Sequence, residues 1–276
     1  MTNDAFDHVL WLGGMGGVGK TTAARAIARR YDLRLYSVDS YTYEHAARLP
    51  PEPPRSLDEI WVDSSPEDLA TWFNDQARVR FPLILDDLSR LPSDAPILAE
   101  GPQMLPELVQ PLLRSPDRAV FVEAAHDLHR RLLLRRGSGL VKLVRDPGRA
   151  LENRIRRDQI LAEWLRRDLQ GSPLGVMEVA DLTEIESGVE RRFAAALSEW
   201  DARGDRGDVA GRRRDENDAR LRQWRANANR VGDASGEVAF ACECSRYGCV
   251  ETLTLGLAEA DGLRVKSQPF VVSAHA

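Results

Sequence analysis

Apolar residues fall along this chain in short blocks separated by polar, glycine-rich or proline-rich stretches, and the spacing within each block changes from one to the next. The run His8-Val-Leu-Trp-Leu-Gly13 is too short for a helix and too apolar for a loop, so it reads as a buried strand. Gly19 to Arg30, rich in Ala and Arg, reads as a helix, and Leu33 to Val38 as a second strand ending at Asp39-Ser40. Pro50 to Pro54 marks an exposed loop. Ser65-Pro66-Glu67-Asp68 is a helix start, and Leu69, Trp72, Phe73, Ala77, Phe81, Leu85 and Leu88 then recur at helical spacing to Leu91, with Pro82 as the one discordant residue.

The same alternation continues. Pro96 to Gly101 predicts a third strand with an acid, Glu100, at its tip, and Gln103 to Leu113 a short helix. Ala119 to Glu123 predicts a fourth strand, and His126 to Arg136 a basic helix broken by Gly137-Ser138-Gly139. Pro147 to Gln170 is expected as a long charged helix, Leu174 to Ala180 as a fifth strand, and Thr183 to Trp200 as a further helix. Strands alternating with helices imply a parallel sheet covered on both faces, a three-layer α/β sandwich of five strands spanning residues 1–200. The glycine-bearing stretch 201–211 is expected as a linker. Residues 212–276 then form a second unit, a polar helix from Arg212 to Arg230 and a small β-rich segment.

Composition narrows the class. At 43% hydrophobic and 29% charged over 276 residues, the chain has material for one substantial core and one small unit. No apolar run approaches the roughly 18 residues needed to span a bilayer, and the N-terminus lacks a signal-peptide pattern, so a cytoplasmic location with no membrane partner is expected. A net charge of -5, with arginines interleaved among acids from Arg154 to Asp168, argues against nucleic acid as the main partner.

The chemistry begins between the first strand and the first helix. Gly14-Met15-Gly16-Gly17-Val18-Gly19-Lys20-Thr21 satisfies the whole GxxxxGK[ST] pattern in the strand–loop–helix context that a phosphate loop requires. Glycines let backbone N–H groups close around an anion, and the helix that follows, from Lys20 through Thr21 and Thr22, adds its positive end. Lys20 would neutralise phosphate oxygens and the Thr21 hydroxyl would ligate Mg²⁺. Two acids compete to complete the metal site. Leu83-Ile84-Leu85-Asp86-Asp87 has hydrophobics followed by acids but falls inside helical periodicity, whereas Glu100 ends an isolated strand and is preferred.

With Asp39 placed 19 residues after Lys20 at the end of the second strand, the chain resembles the P-loop kinases of the nucleoside monophosphate kinase, shikimate kinase-like and chloramphenicol phosphotransferase-like group. The resemblance covers about residues 8–200 in element order, and only the loop and Asp39 carry it as motifs. It implies an ATP-dependent kinase in which Asp39 binds the acceptor hydroxyl and acts as its base, with lid arginines, first Arg135 and Arg136 beside the glycine break, stabilising transferred charge. Arg154 and Arg157 stand behind them, and Arg130 and Arg131 share the lid helix. The other reading of Asp39 is a helix cap. The acceptor would be a nucleotide or a small hydroxylated molecule, bound near the insert from Tyr41 to Ser64, whose Tyr41, Tyr43, His45 and Trp61 either stack on a ring or pack the lid.

All three cysteines, Cys242, Cys244 and Cys249, fall within eight residues, and His275 near the C-terminus could complete a tetrahedral Zn²⁺ site of three thiolates and an imidazole. The alternative is three reduced cysteines without a shared role. A segment of about 40 residues has too little core to fold alone, which a metal would remedy. A competing function follows from this second unit: a nucleotide-dependent regulator whose zinc module docks a protein partner. The absence of an Asn-Lys-x-Asp motif disfavours a G protein.

Overall fold

The structure, a computed structural model, describes residues 3–51, 53, 55–136 and 143–275, with only the backbone described for Asn3, Asp4 and Arg136. The break at Gly137-Ser138-Gly139 lies outside the described residues.

Five strands, β1 (Val9–Gly14), β2 (Arg34–Ser37), β3 (Ile97–Glu100), β4 (Ala119–Ala124) and β5 (Val176–Val179), form one sheet in the order β2-β3-β1-β4-β5. Every pairing is parallel, with Leu12 opposite Glu100 and Ser37 opposite Glu100 in the two registers that flank β3. Because successive side chains point to opposite faces, β1 divides its apolar residues between two cores. Leu10 and Leu12 pack with Ala24 and Ile27 of α1 (Lys20–Arg30), Ile185 and Val189 of α7 (Thr183–Arg192) and Leu197 of α8 (Ala194–Asp201). Val9 and Trp11 face the other way, toward Phe81, Ile84 and Leu88 of α3 (Pro66–Arg90) and Leu165 of α6 (Pro147–Leu169). The result is the three-layer arrangement expected from alternating strands and helices.

The run Leu83 to Asp87 lies within α3, whose start is capped by the Ser65 side chain accepting from the Asp68 N–H at 3.0 Å. The helix continues through Pro82, held on both sides of it by buried Phe81 and Ile84. Other elements depart from expectation. The helix predicted from Gln103 to Leu113 is confined to α4 (Pro106–Val109) and a 3-10 turn, because prolines at 106 and 111 interrupt it. The helix predicted from Thr183 to Trp200 breaks at Phe193, whose fully buried ring sits in a turn with ψ near 6° between α7 and α8. Two further helices complete this part: α2 (Thr42–Arg48) after β2, and α5 (His126–Arg136) after β4.

Of the stretch 201–211, α8 takes the first residue and α9 (Val209–Val231) starts at its ninth. Arg206 within it is buried and donates to the Trp200 carbonyl at 2.8 Å. The helix α9 lies against β2 and α2. Its buried face is strongly polar: Arg212, Arg213 and Asn217 are all at most 5% exposed. Beyond it, β6 (Glu237–Ala241) and β7 (Thr252–Gly256) pair antiparallel, and α10 (Leu257–Val265) follows. Phe240 and Phe270 meet edge to face at 5.0 Å under Leu221 and Leu255. In this segment, expected to be β-rich, residues 269–272 form no strand. Phe270 instead makes a single backbone contact, its carbonyl accepting from Glu243 N–H at 2.7 Å, while its own N–H donates to the Glu243 side chain. No described helix is long and apolar enough to cross a membrane.

Candidate functional site

The carboxyl ends of β1, β2 and β3 bring the sequence-predicted residues together. In open α/β sheets that edge is where crossovers leave to opposite faces and a crevice opens. Here the first crossover, through α1, covers one face and the later ones, through α3 and α6, cover the other.

Gly14 to Gly19 form the turn from β1 into α1. Gly14 has φ of 102°, and a Cβ there would stand 2.1 Å from the Val122 carbonyl oxygen of β4, so no other residue fits. Gly19, the residue before α1, has φ of 96° and turns the chain so that the helix starts at Lys20. That leaves the first N–H groups of α1 directed toward the loop. Lys20 is 4% exposed, and its ammonium donates to the carbonyls of Gly14 at 3.1 Å and Met15 at 2.5 Å. A buried ammonium held by neutral carbonyls keeps its charge available to an anion in the same loop. Val18 is fully buried below it, and Thr21 and Thr22 open the helix.

Glu100, at the end of β3, is 2% exposed. Burial raises its pKa, and the neighbouring charge of Asp39 raises it further. Hydrogen bonds from Ser37, at 2.5 Å, and Thr21, with the charge of Lys20, oppose the rise. A carboxylate pressed against burial beside a hydroxyl and an ammonium is a group whose charged form a divalent cation would stabilise. The residues present therefore fit a phosphate chain with its magnesium ion.

Asp39 is exposed at the rim, where its carboxylate accepts from Gln103 Nε2 at 3.5 Å. It lines a cleft of about 270 Å³ with Gly14 to Gly17 on one side and α6 on the other. From α6 the cleft receives Arg154, the adjacent pair Arg157 and Asp158, and Leu161, Trp164 and Asp168 at further steps of three or four, all on one helix face. Arg157 is held by Asp158, which accepts from Nε at 2.7 Å and Nη2 at 2.5 Å. The rings of Trp61 and Phe73 cover the Arg157 guanidinium at 5.2 and 5.4 Å. His129 of α5, 1% exposed, joins this face to the glycine loop: its Nε2 lies 3.0 Å from the Gly16 carbonyl and 3.6 Å from Asp158. Burial lowers its pKa despite Asp158, which favours the neutral ring that donates to Gly16.

The remaining predicted residues fall elsewhere. Arg135 is exposed on α5 and does not line the cleft, and the side chain of Arg136 lies outside the described residues. Arg130 pairs with Glu152 at 3.3 Å on the surface. In the insert after Asp39, Tyr41 stacks on Tyr36 at 4.5 Å and Tyr43 donates to Asn227 of α9 at 3.1 Å. His45, fully buried, lies 2.8 Å from Asp87. These three pack the wall behind Asp39, and Trp61 alone reaches the cleft region, through Arg157. Asp87 anchors that wall: burial pulls its pKa up, but hydrogen bonds from His45, Tyr36 and Arg48 outweigh this and bring it to about 2.

A second cluster lies in the C-terminal segment. The sulfurs of Cys242, Cys244 and Cys249 and the Nδ1 of His275 all lie within 4.8 Å of one another. His275 Nδ1 stands 3.6, 3.3 and 3.6 Å from the three sulfurs in that order. Metal bonds of about 2.3 Å to sulfur and 2.0 Å to nitrogen at a tetrahedral angle place sulfur and nitrogen about 3.5 Å apart. The donor set and its spacing therefore fit a zinc ion. Around it, Arg213 donates to the Cys244 carbonyl at 2.7 Å and approaches its sulfur at 3.7 Å, an arrangement that favours thiolate. Arg213 also pairs with Asp32 at 2.6 Å, whose other oxygen accepts the Gly248 N–H at 2.9 Å.

His129, Asp158, Gln103 and Trp164 were not singled out by sequence reasoning. The three-or-four spacing along α6 was visible, but which face meets the loop depends on how α5 and α6 fold back over β4. Among known proteins, no family model and no curated protein matches the chain.

Proposed function

We propose that this protein is a P-loop kinase that uses magnesium-bound ATP to phosphorylate a hydroxyl on a small molecule, and that a zinc ion held by Cys242, Cys244, Cys249 and His275 builds its C-terminal module. The observation that carries the reading is Glu100: a buried acid of raised pKa, in hydrogen-bonding contact with Thr21 and Ser37 and within the field of Lys20, one strand over from a glycine loop that matches the complete pattern. A glycine turn that served only the fold would have no use for a charge kept so expensively buried beside it.

In this reading the backbone N–H groups of Gly16 to Thr21 and the Lys20 ammonium hold the β- and γ-phosphates, and Thr21 and Glu100 hold the magnesium ion, which would neutralise charge on the phosphate oxygens. Asp39 stands where cleft and loop meet. It orients the acceptor hydroxyl and takes its proton as the oxygen bonds to phosphorus and the nucleoside diphosphate leaves. Arg157 and Arg154, which line the cleft wall, replace Arg135 as the arginines that support Lys20 in the transfer. His129 keeps the Gly16 carbonyl turned away from the phosphates, so that the loop presents N–H groups. With its four donors converging, the zinc site is closed and structural, and it takes no part in transfer.

The test is Asp39→Asn in the full chain with ATP and a panel of hydroxylated acceptors. Transfer should fall at least about 100-fold while affinity for an ATP analogue stays within about twofold. Undiminished transfer in that variant removes Asp39 from the mechanism, and slow hydrolysis with every acceptor in the wild type would support the regulator reading instead.

A further inference from the structure

The helix that follows Asp39 does not cap itself. The first N–H groups of any helix lack partners within it, and a polar side chain just before the start usually supplies one. In α2, seven residues long, the residue in that place is Tyr41, which makes no such bond. The cap comes from another helix: Oε1 of Gln223 in α9 accepts the Tyr43 N–H at 3.3 Å. The Tyr43 hydroxyl donates to Asn227 at 3.1 Å, and Arg222 donates to Glu44. The same helix packs against the 3-10 turn Val38–Tyr41, which contains Asp39 itself.

The half of α9 that bears Gln223 is held from its other side by the C-terminal segment. Asp218 accepts from Arg264 at 2.6 Å and Arg225 donates to Asp261 at 2.7 Å, both partners on α10, while Leu221 packs with Phe240 and Leu255. Asn217 exchanges two hydrogen bonds with the backbone of Ala241, each of 2.9 Å, and donates to Glu243 at 2.8 Å. Glu243 stands between the metal donors Cys242 and Cys244, is 5% exposed, and also accepts from Arg264 at 3.0 Å and from the Phe270 N–H at 3.1 Å. Six residues of helix, about 9 Å, carry the chain from Asn217 to Gln223. The buried apolar residues of this segment are few, and the four metal donors, drawn from the end of β6, the approach to β7 and the tail, tie its pieces together.

We propose that the C-terminal module braces the acceptor side of the cleft, with Gln223 as its positioning residue. The metal cluster fixes one side of α9, α9 fixes the start of α2 on its other side, and the turn between β2 and α2 then aims Asp39. The glycine loop is outside this path, because α1 is seated on the sheet through Ala24 and Ile27. The inference rests on the kinase reading only for what Asp39 does, and the brace itself is tested without catalysis.

Hydrogen exchange is followed by mass spectrometry in the full zinc-loaded chain, in the same chain after chelation, and in zinc-loaded Gln223→Ala and Gln223→Glu. Residues 38–48 report on the brace and residues 9–22 on the loop. Gln223→Ala should speed exchange in 38–48 by about three- to tenfold, the worth of one hydrogen bond to a local opening, with zinc content and exchange in 9–22 unchanged. Gln223→Glu keeps an acceptor oxygen at the start of α2 and should exchange like the wild type. Chelation should speed 38–48 at least as much as Gln223→Ala does, and well ahead of 9–22. Unchanged exchange in 38–48 in Gln223→Ala or after chelation, failure of Gln223→Glu to restore it, or a rise shared equally by 9–22 would each overturn the inference. With any acceptor that the wild type phosphorylates, Gln223→Ala should lower kcat at least about threefold and leave KM for ATP unchanged, and an unaltered kcat would also overturn it. Absence of transfer to every acceptor in the wild type would count against the kinase reading, and the exchange rates would still decide whether the brace exists.

Discussion

The glycine loop and the cysteine cluster lie at the two ends of one helix, and they solve the problem of buried charge in opposite ways. At the start of α1, buried Lys20 donates to the Gly14 and Met15 carbonyls, and buried Glu100 accepts from the Ser37 and Thr21 hydroxyls within the field of Lys20, next to the cleft that Gly14 to Gly17 line. At the turn after α1, Asp32 is buried too, but Arg213 takes one carboxylate oxygen and the Gly248 N–H the other. The thiols beside it converge on a single point with the imidazole. On the proposed reading the first end exchanges partners while the second keeps them.

The largest effect that would sharpen this contrast concerns the closed end. Full-chain protein should contain one zinc per chain, and a strong chelator should unfold the segment beyond α9, exposing all three thiols to a disulfide reagent within the mixing time. Structural zinc contributes on the order of 10 kcal/mol in small domains, far more than the Phe240–Phe270 core can replace. Metal-free protein whose thiols stay protected would show that the cluster needs no metal.

The wall behind Asp39 gives the next effect, of about 1–2 kcal/mol after allowance for partial solvent screening. Asp87 ionises near 2 in the folded chain and at its ordinary value, near 3.8, when unfolded. It therefore adds stability at neutral pH that persists above the ordinary value and disappears as pH falls from about 4 toward 2. Asp87→Asn should flatten denaturant-measured stability over that interval. An unchanged acid profile would mean that the His45, Tyr36 and Arg48 contacts do not hold the charge.

Glu100 should behave in the reverse sense. Its folded pKa is raised, so its contribution to stability is fully present below the ordinary carboxylate value and is lost as pH climbs through the raised one. Glu100→Gln should raise the melting temperature of metal-free protein at neutral pH by about 2–4 °C, the shift that ~1 kcal/mol produces in a domain of this size. The same variant should lose the added stability that magnesium-ATP confers. A variant that melts earlier, or that keeps the magnesium effect, would place the metal elsewhere.

What could be read in advance was what local pattern controls. Val9 to Leu12, Ile97 to Glu100 and Ala119 to Val122 are short apolar runs that leave little choice but buried strands, and the glycine loop and cysteine cluster are nearly contiguous. Hydrophobic periodicity carries no sign of a polar buried face, so the seat of α9 on β2 through Arg212, Arg213 and Asn217 was hidden, as was the break at Phe193. The cleft was only half legible for the same reason. Asp39 lies next to a strand end, but Asp158 and Trp164 reach the cleft through the folding of α6, and the basic run at Arg130 to Arg136 drew attention by charge although its described arginines do not line it.

The central claim is that Gly14 to Thr21 bind the phosphates of a nucleotide, and one titration tests it most directly. Magnesium with a non-hydrolysable ATP analogue, titrated calorimetrically into the wild-type chain and into Lys20→Ala, should show one site in the wild type and at least about a 100-fold loss in the variant, with zinc content equal in both. No binding to the wild type, or equal binding to the two, would contradict it.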